Sequence, residues 1–257
     1  MNSISVIIKS WAAWAPGIER ANEWQLWAKD QKQALQDGEP PSPNIPSMLR
    51  RRLNPLGKMA LSVAQPLLNN HSKTPCVFCS RHGDLDRTLG LLKSLAKQEP
   101  LSPTHFSLSV HNAIGGILSI ARKDPSSITA LSTNDISTCL LEAIAIMDEQ
   151  NSQNVLCVIY DNQVPSIYND GQIGPNFPYA VAFLLSSPKH LLADDAIQLK
   201  FSICDVDTHS SAAFNNKCSN EPQALSLLKF LLSTTSQDLL LSSRRHAWFW
   251  SKAHQND

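Results

Sequence analysis

The 257-residue sequence has little of several features that would place it in a specialised class of protein. It has no excess of charge, because 22 basic residues balance 22 acidic ones, and this balance argues against a nucleic-acid-binding surface as the main function. No apolar run reaches the length that crosses a bilayer, and no internal repeat or long low-complexity tract is present. We therefore expect a globular protein with enough residues to bury a core.

The sequence also lacks the short motifs of several large enzyme classes. It contains no GxSxG elbow, no phosphate-binding glycine loop, no HExxH helix and no carboxylate cluster spaced for a metal. Cys76 and Cys79 form a single CxxC, but no second Cys or His pair lies at ligand spacing, so no metal site is predicted. Most of the six cysteines lie in apolar runs and no signal peptide is recognisable, so we expect free thiols in a cytoplasmic protein.

Strand-like and helical stretches alternate along most of the chain. Strands are predicted at residues 4–8, 75–80, 127–131, 155–160, 179–186 and 197–204, and the longest helices between them at 56–68, 85–98 and 136–149. This order predicts an α/β fold with a mostly parallel sheet, helices on both faces and an antiparallel edge strand. The last two strands are expected to pair with each other.

The stretch from residue 102 to residue 135 carries the strongest functional signal. Ser102-Pro103-Thr104 is a helix start, because Ser or Thr accepts an orphan N–H and Pro fits the first turn. Apolar residues follow at helical spacing, so one helix is predicted over residues 106–117, in which Gly115-Gly116 would allow close approach to another backbone. A short strand, then a turn and a second helix from residue 136, form an elbow. Enzymes often place a nucleophile at such an elbow.

The residues of this stretch resemble the β-ketoacyl synthase superfamily. The likeness rests on Phe106-Ser107-Leu108-Ser109-Val110-His111-Asn112-Ala113, then Gly116, Ser119-Ile120, Pro125-Ser126 and the elbow. It is strongest to the short β-ketoacyl synthase-like N-terminal-domain proteins of aryl polyene pigment clusters, and it covers about residues 3–250. The resemblance implies one half of a thiolase-like fold over residues 1–257. Residues 205–257 form a short C-terminal extension that is too small to be the second half.

The resemblance places Asp135 where ketosynthases carry their nucleophilic cysteine. Their elbow reads roughly Ser/Val-Thr-Ala-Cys-Ser-Ser-Gly, and residues 132–138 occupy it here. Asp135 is not a thiolate, but a carboxylate at a helix N-terminus is well placed as a cap. Cys139, one turn further on, falls on the apolar face and is expected to be unreactive. Condensation also needs histidines and an oxyanion donor from the missing second half, so we expect no catalytic residue.

By resemblance, the chain is a non-catalytic chain length factor that forms a heterodimer with a ketosynthase during polyene or polyketide elongation, a chemistry akin to fatty-acid synthesis. It would meet the partner along strand 127–131 and helix 106–117, which shapes the acyl tunnel. The expected interface and tunnel residues are Phe106, Ser109, Val110, His111, Asn112, Ala113, Ser127, Thr129, Leu131 and Asn134. The alternative to a tunnel role for Val110 and Ala113 is that they take part only in ordinary helix packing.

An acyl carrier protein is the second expected partner. Arg50, Arg51 and Arg52 are interpreted as its contact, because guanidinium binds phosphate in a forked geometry, although a solvated positive face is the alternative. No cofactor is expected in this chain, since substrates would arrive on the phosphopantetheine of the carrier protein.

Two other functions stay open from the sequence. One is a self-contained acyl-thioester enzyme, against which the missing cysteine and the missing half both argue. The other is a homodimeric module that binds acyl groups or carrier proteins, and nothing in the sequence excludes it.

Overall fold

The computed structural model describes residues 3–35, 37–168, 175–188, 196–204, 221–235, 238–242 and 247–252. The strands are β1 (Ile4–Trp14), β2 (Cys76–Cys79), β3 (Ile128–Leu131), β4 (Asn154–Asp161), β5 (Tyr179–Ser186), β6 (Ile197–Cys204), β7 (Asp238–Ser242) and β8 (Ala247–Lys252). The helices are α1 (Ala21–Ala28), α2 (Ser47–Arg50), α3 (Pro55–Leu68), α4 (Leu85–Ala96), α5 (Pro103–Ser107), α6 (Ala113–Arg122), α7 (Ile136–Glu149) and α8 (Gln223–Leu232), with a 3-10 turn at Ser166–Tyr168. None of the described helices is long and apolar enough to span a membrane.

The strands form one sheet in the order β3-β2-β4-β5-β1-β6-β8-β7. The predicted α/β class is confirmed, but the sheet is mixed rather than mostly parallel. Of the seven pairings between described strands, β2–β3 and β2–β4 are parallel and the other five are antiparallel. The predicted pairing of β5 with β6 is wrong, because β1 lies between them. β1 is longer than predicted, so its first half pairs with β6 and its second half reaches β5.

Both faces of the central strands are buried, as expected for a sheet covered by helices on each side. In β4, Val155, Cys157 and Ile159 belong to one hydrophobic core together with residues of α7 and α8. Leu156, Val158 and Tyr160 belong to the second core, which includes residues of α3 and α6. The predicted placement of helices on both faces is therefore confirmed.

The C-terminal part of the described chain continues the same sheet. Residues 238–242 and 247–252 fall within the stretch predicted as a short extension, and they supply β7 and β8, which pair antiparallel next to β6. An antiparallel edge strand is present, as predicted, but β7 forms it rather than residues 197–204, the last strand predicted from the sequence. Residues 205–220, 236–237, 243–246 and 253–257 of that stretch lie outside the described residues.

The single helix predicted over residues 106–117 is wrong. The chain forms α5, whose first turn is capped by the Ser102 hydroxyl accepting the His105 N–H at 3.3 Å, and then breaks before α6. After the break begins, the Ser109 hydroxyl donates to the Phe106 carbonyl at 2.8 Å, a local bond that competes with helical pairing. As a result Val110 is 48% exposed, although the helical pattern had placed it on the apolar face.

The other edge of the sheet is β3, which is covered from one side by α6. An added Cβ at Gly115 would lie 2.6 Å from the Ile128 side chain, so this helix packs on the strand at a distance that only glycine permits. The predicted close approach is confirmed at Gly115. It is wrong for Gly116, where nothing lies within 4 Å of an added Cβ.

Candidate functional site

The elbow between β3 and α7 carries a carboxylate whose bonds serve the helix. The Asp135 Oδ1 accepts hydrogen bonds from the backbone N–H groups of Ser137 at 3.0 Å and Thr138 at 3.4 Å. The Asp135 N–H in turn donates to the Thr133 hydroxyl at 3.0 Å. These bonds hold the carboxylate over the positive end of α7. The capping role predicted for Asp135 is confirmed.

The thiol nearest to the elbow in sequence is unavailable for chemistry. Cys139 is completely buried on α7, and burial raises the pKa of its thiol well above the ordinary value. A thiolate is therefore strongly disfavoured there at neutral pH. The described elbow therefore offers a carboxylate whose Oδ1 caps α7, and the thiol closest to it in sequence is buried.

Residues in the C-terminal part of the chain form hydrogen bonds with the first residue of α7, directly after the elbow. The Ile136 N–H, the first of α7, donates to Gln223 Oε1 at 3.2 Å. The Gln223 amide donates onward to the Ser242 carbonyl in β7 at 2.9 Å. The start of α7 is therefore tied to α8 and to the edge strand β7.

A buried polar network joins the ends of β2 and β4 beside the elbow. The Asp161 carboxylate accepts the Ser80 hydroxyl at 2.7 Å and the N–H groups of Arg81 and His82 at 3.0 and 3.2 Å. The Ser80 oxygen also accepts the Gly83 N–H at 2.8 Å. Burial raises the pKa of Asp161, and its hydrogen bonds only partly oppose that effect.

This network supports the segment that precedes α6. Gly83 has φ of +60°, and an added Cβ would lie 2.7 Å from the His111 imidazole. The Ser132 hydroxyl at the elbow donates to the Arg81 carbonyl at 3.3 Å. The turn after β2 therefore contacts both the elbow and the break between α5 and α6.

Large apolar side chains are exposed on and between the helices α4, α5 and α6. Twelve large apolar side chains of the described chain are exposed, and six of them fall within residues 92–120. They are Leu92, Leu95, Leu101, Phe106, Val110 and Ile120. We call this set the 92–120 apolar surface. Concentrated apolar exposure of this kind marks an interaction site more often than a solvated face.

The edge strand β3 presents unpaired main-chain groups beside that surface. The Ser127 carbonyl accepts the Cys76 N–H at 3.0 Å, and the Leu131 carbonyl accepts the Ser80 N–H at 3.1 Å. Because alternate residues of a strand face one neighbour, the main-chain groups of Ile128 and Ala130 point to the open edge. All four residues of β3 are half-buried, and no strand in the described ranges covers this edge.

The predicted interface residues fall on three connected elements. Phe106 lies on α5; Ser109, Val110, His111 and Asn112 lie in the break; and Ala113 begins α6. Thr129 and Leu131 belong to β3, the Ser127 hydroxyl donates to the Gln150 side chain at 3.0 Å, and Asn134 is exposed at the elbow. Exposure within this group is uneven, since Phe106 is 63% exposed whereas His111 and Ala113 are half-buried.

The arginine triplet lies on a different element. Arg50 ends α2 and is half-buried, whereas Arg51 and Arg52 are exposed in the turn that follows. Arg87 of α4 donates from Nη2 to the Arg52 carbonyl at 3.4 Å, which ties this turn to the rest of the domain.

Sequence reasoning missed Asp161, Ser80 and Gly83. The available signal was a polar residue directly after an unbroken apolar run, since Asp161 ends the buried strand β4. Within the ranges that the structure describes, no group of three or more His, Cys, Asp or Glu side chains is arranged to hold a metal ion.

The family model "Beta-ketoacyl synthase, N-terminal domain" matches residues 24–251. The solved ketosynthase ApeO in complex with its chain length factor ApeC, from Xenorhabdus doucetiae, contains a chain that is 30% identical to this one. The match covers 96% of this chain and 99% of that one, with a TM-score of 0.79. Among curated protein sequences, none matches this chain.

Two more distant solved structures share the fold. The ishigamide ketosynthase/chain length factor is 15% identical over 79% of this chain and 68% of that one, with a TM-score of 0.56. A type II polyketide synthase acyl-carrier protein in complex with its ketosynthase (AntDE:AntF) contains a chain that is 11% identical. That match covers 97% of this chain and 99% of the other, with a TM-score of 0.66. The thiolase-like fold is therefore confirmed, and this chain belongs to the family of the β-ketoacyl synthase N-terminal domain.

Proposed function

We propose that this chain is a non-catalytic chain length factor of a type II polyketide synthase of the aryl polyene kind. The observation that carries the proposal is the bonding of Asp135, whose carboxylate caps α7 at the place where ketosynthases keep a nucleophile. Cys139 does not replace it, because its thiol is buried and its pKa is raised. The chemistry would then belong to a ketosynthase partner that supplies the cysteine.

The open edge of β3 and the 92–120 apolar surface support a heterodimer. An unpaired strand edge and a concentration of exposed apolar side chains are each normally covered in the native state, and the proposed partner subunit would cover them. The Xenorhabdus relative comes from a complex of a ketosynthase with its chain length factor. We propose the same kind of partner here, paired along Ile128 and Ala130, with Asn134 and the Ser127 end of the strand at the borders of the contact.

The break between α5 and α6 is the proposed contribution to the acyl tunnel. Val110 and Phe106 are both exposed, while Ser109 and Ala113 are half-buried. Bulk at these positions would set how far the acyl chain extends in the partner. His111 and Asn112 would hold the break in place, since the imidazole packs against Gly83.

An acyl carrier protein is the proposed source of substrate, because the AntDE:AntF relative comes from a complex that contains one. Arg50, Arg51 and Arg52 are its proposed contact, and the substrate would arrive on phosphopantetheine, so that this chain needs no cofactor. Replacing all three arginines with Glu should weaken binding of the carrier protein by about tenfold, since like charges would replace attraction to a phosphate. Lys29→Glu, exposed after α1, is the matched control. Unchanged binding by the triple variant would remove this contact.

The proposal places the complex in the cytoplasm, where thiols stay reduced. The five described cysteines, Cys76, Cys79, Cys139, Cys157 and Cys204, are all free and buried. The chain as a whole is proposed to act as one half of a thiolase-like fold, with residues 205–257 as its C-terminal extension.

The test is a tagged pull-down from the native host with the mass and stoichiometry of the bound protein. A one-to-one complex with a larger, cysteine-bearing ketosynthase is expected. When that complex is incubated with acyl carrier protein loaded with substrate, mass spectrometry should place the acyl group on the partner and none on this chain. Acylation of this chain, or turnover by the isolated chain, would instead support the self-contained acyl-thioester enzyme. A stable homodimer without a ketosynthase would support the homodimeric binding module.

A further inference from the structure

The break between α5 and α6 is held on the domain by packing rather than by hydrogen bonds. Among the described residues, the hydrogen bonds of residues 108–112 all have their partners within residues 104–116. Two side chains of the break pack inward instead, Leu108 against the second core and His111 against Gly83. The position of Val110, which lies between them in the sequence, therefore depends on the surfaces that those two side chains contact.

The imidazole of His111 lies with its face on Gly83. A Cβ added to Gly83 would lie 2.7 Å from Cε1 of the ring and 3.1 Å from both Nδ1 and Nε2, distances that place the ring face, rather than its edge, over the glycine. His111 Nε2 is buried and has no hydrogen-bond partner among the described residues. Because no bond at Nε2 orients the ring, the shape of the turn beneath it determines where the ring lies.

The start of that turn is held by Asp161. This carboxylate is 2% exposed at the end of β4, and it accepts the Ser80 hydroxyl and two N–H groups of the turn. The Ser80 oxygen in turn accepts the Gly83 N–H at 2.8 Å. Two consecutive hydrogen bonds therefore join β4 to the glycine that the His111 ring contacts.

The end of the turn is held independently of Asp161. The Asp84 carboxylate accepts the Asn54 side-chain amide and the Arg87 Nε–H, each at 2.8 Å. The side chains of the Asp84–Arg87 ion pair are only 8% and 13% exposed, so solvent screens the pair little. Loss of the Asp161 bonds should therefore loosen residues 80–83 without detaching α4.

We propose that Asp161 is a positioning residue for the acyl tunnel. Through Ser80, Gly83 and the His111 ring, it sets where the break between α5 and α6 lies and hence which product lengths the complex releases. The inference rests on the proposed function, because the break must face the tunnel of a ketosynthase partner. Asp161 is itself buried and would contact neither substrate nor partner. A tunnel wall that is fixed in place favours one product length, whereas a wall that moves admits several.

The test is the distribution of product lengths from the complex reconstituted with its ketosynthase and loaded carrier protein, measured by mass spectrometry. Asp161→Asn keeps the size of the side chain but replaces one accepting oxygen with a donor. It should raise the fraction of products one elongation step longer or shorter than the main product by about threefold. Ser80→Ala, which breaks the same two hydrogen bonds, should do the same. All variants are compared at equal concentrations of the assembled one-to-one complex.

A double-mutant cycle determines whether Asp161 acts through the His111 ring. His111→Ala leaves the bond between Asp161 and Ser80 in place but removes the ring, so it should broaden the product distribution by itself. Adding Asp161→Asn should broaden it no further, because both substitutions interrupt the same chain of contacts. Ser80→Ala replaces Asp161→Asn in the cycle if that variant does not assemble.

Val6→Ala is the control for a general loss of stability. Val6 is completely buried in the other core, on β1, three strands away from β2 in the sheet. This substitution should lower stability and leave the product lengths unchanged. Broadening by Val6→Ala equal to that by Asp161→Asn, or additive effects in the cycle, would overturn the positioning role. The role is also wrong if Val6→Ala assembles and neither network variant does, because the network would then serve only the stability of the fold.

Val110→Trp separates failure of this inference from failure of the proposed function. If Val110→Trp alters the product length or rate while the Asp161 and Ser80 variants alter neither, the positioning role is wrong and the proposed tunnel stands. If none of these variants alters length or rate, the tunnel assignment and the positioning role both fail.

Discussion

The Ser80 hydroxyl donates a 2.7 Å hydrogen bond to the Asp161 carboxylate, although the two residues lie 81 positions apart in the sequence. Both residues are buried at the ends of adjacent parallel strands, and the Ser80 oxygen also accepts the Gly83 N–H. The pair therefore fixes the turn after β2, on which the elbow and the segment before α6 both rest.

Ser80→Ala should lower the free energy of unfolding by about 2 kcal/mol, because it leaves a buried carboxylate oxygen and the Gly83 N–H without this partner. Urea unfolding measures the change. Ser62→Ala is the control, since the Ser62 hydroxyl bonds only within its own helix α3 and its loss should change stability by no more than about 0.5 kcal/mol. Equal effects of the two substitutions would contradict the structural importance of the pair.

The buried Asp161 should also give a recognisable pH dependence. Burial raises the pKa of this carboxyl above its ordinary 3.8, so the folded state holds the proton more tightly than the unfolded state. The proton on Asp161 contributes its full stabilisation of the fold below pH 3.8, the ordinary pKa of the carboxyl. This contribution is lost as the pH rises through the raised pKa of the folded state. The parent protein should therefore lose unfolding free energy relative to Asp161→Asn over that range.

The comparison is made in a His82→Gln background, because the nearby imidazole would otherwise titrate as well. The two proteins are therefore His82→Gln alone and His82→Gln combined with Asp161→Asn. Arg81 keeps its charge throughout and is common to both. Urea unfolding from about pH 3 to about pH 7 measures the difference in stability. A difference that stays constant, or one that changes in favour of the parent protein as the pH rises, would contradict the raised pKa.

Gly83→Ala should destabilise the fold by about 2 kcal/mol, because its φ of +60° disfavours a side chain and the added Cβ meets the His111 imidazole. Gly90→Ala is the matched control in α4, where nothing lies within 4 Å and alanine should stabilise the helix by about 0.5–1 kcal/mol. In a His111→Ala background the cost of Gly83→Ala should shrink but remain positive. A cost that is unaffected by His111→Ala would contradict the contact.

Ala130→Pro should prevent assembly with the ketosynthase without unfolding the chain. The main-chain groups of Ala130 point to the open edge of β3, so proline removes a donor that only a partner strand would use. We expect the one-to-one complex to weaken by at least about tenfold in size-exclusion chromatography with light scattering. The melting temperature of the chain alone should stay within a few degrees of the parent value.

Thr129→Pro is the counterpart in the same strand. Its main-chain groups face β2, so proline there breaks the internal ladder and should lower the melting temperature of the isolated chain. If Ala130→Pro and Thr129→Pro destabilise the chain equally, or if Ala130→Pro leaves the complex intact, the proposed strand pairing is wrong.

Val110→Trp should shorten the polyene product or slow elongation, because it adds bulk where the break between α5 and α6 is proposed to face the acyl tunnel. Product length is measured by mass spectrometry of the reconstituted complex. Ile203→Trp is the control, since Ile203 on β6 has the same 48% exposure as Val110. Unchanged length and rate with Val110→Trp, while the complex still forms, would remove Val110 from the tunnel.

The sequence predicts those elements whose signals are local. α7 begins and ends where its cap and its helical spacing place it, and β5 and β6 have the bounds predicted from their apolar and β-branched runs. The capping role of Asp135 could also be predicted, because the two N–H groups that its side chain accepts belong to residues two and three positions further along the chain. The break before α6 escaped prediction because the Ser109 hydroxyl competes with a helical bond that the apolar spacing favours.

Features that depend on distant pairing could not be read from the sequence. β1 continues through Trp14 because its second half pairs with β5, and no local sequence signal indicates this pairing. The network around Asp161 brings together residues about eighty positions apart.

The central position of β1 has a consequence for how the chain folds during synthesis. β1 precedes both of its partners, β5 and β6, by most of the length of the chain. Until residues 179–204 have left the ribosome, an apolar strand of eleven residues has neither of its native strand partners. Completion of the sheet must therefore wait until most of the chain has been made. A nascent chain arrested before residue 179 should bind chaperones, whereas one extended past residue 252 should release them.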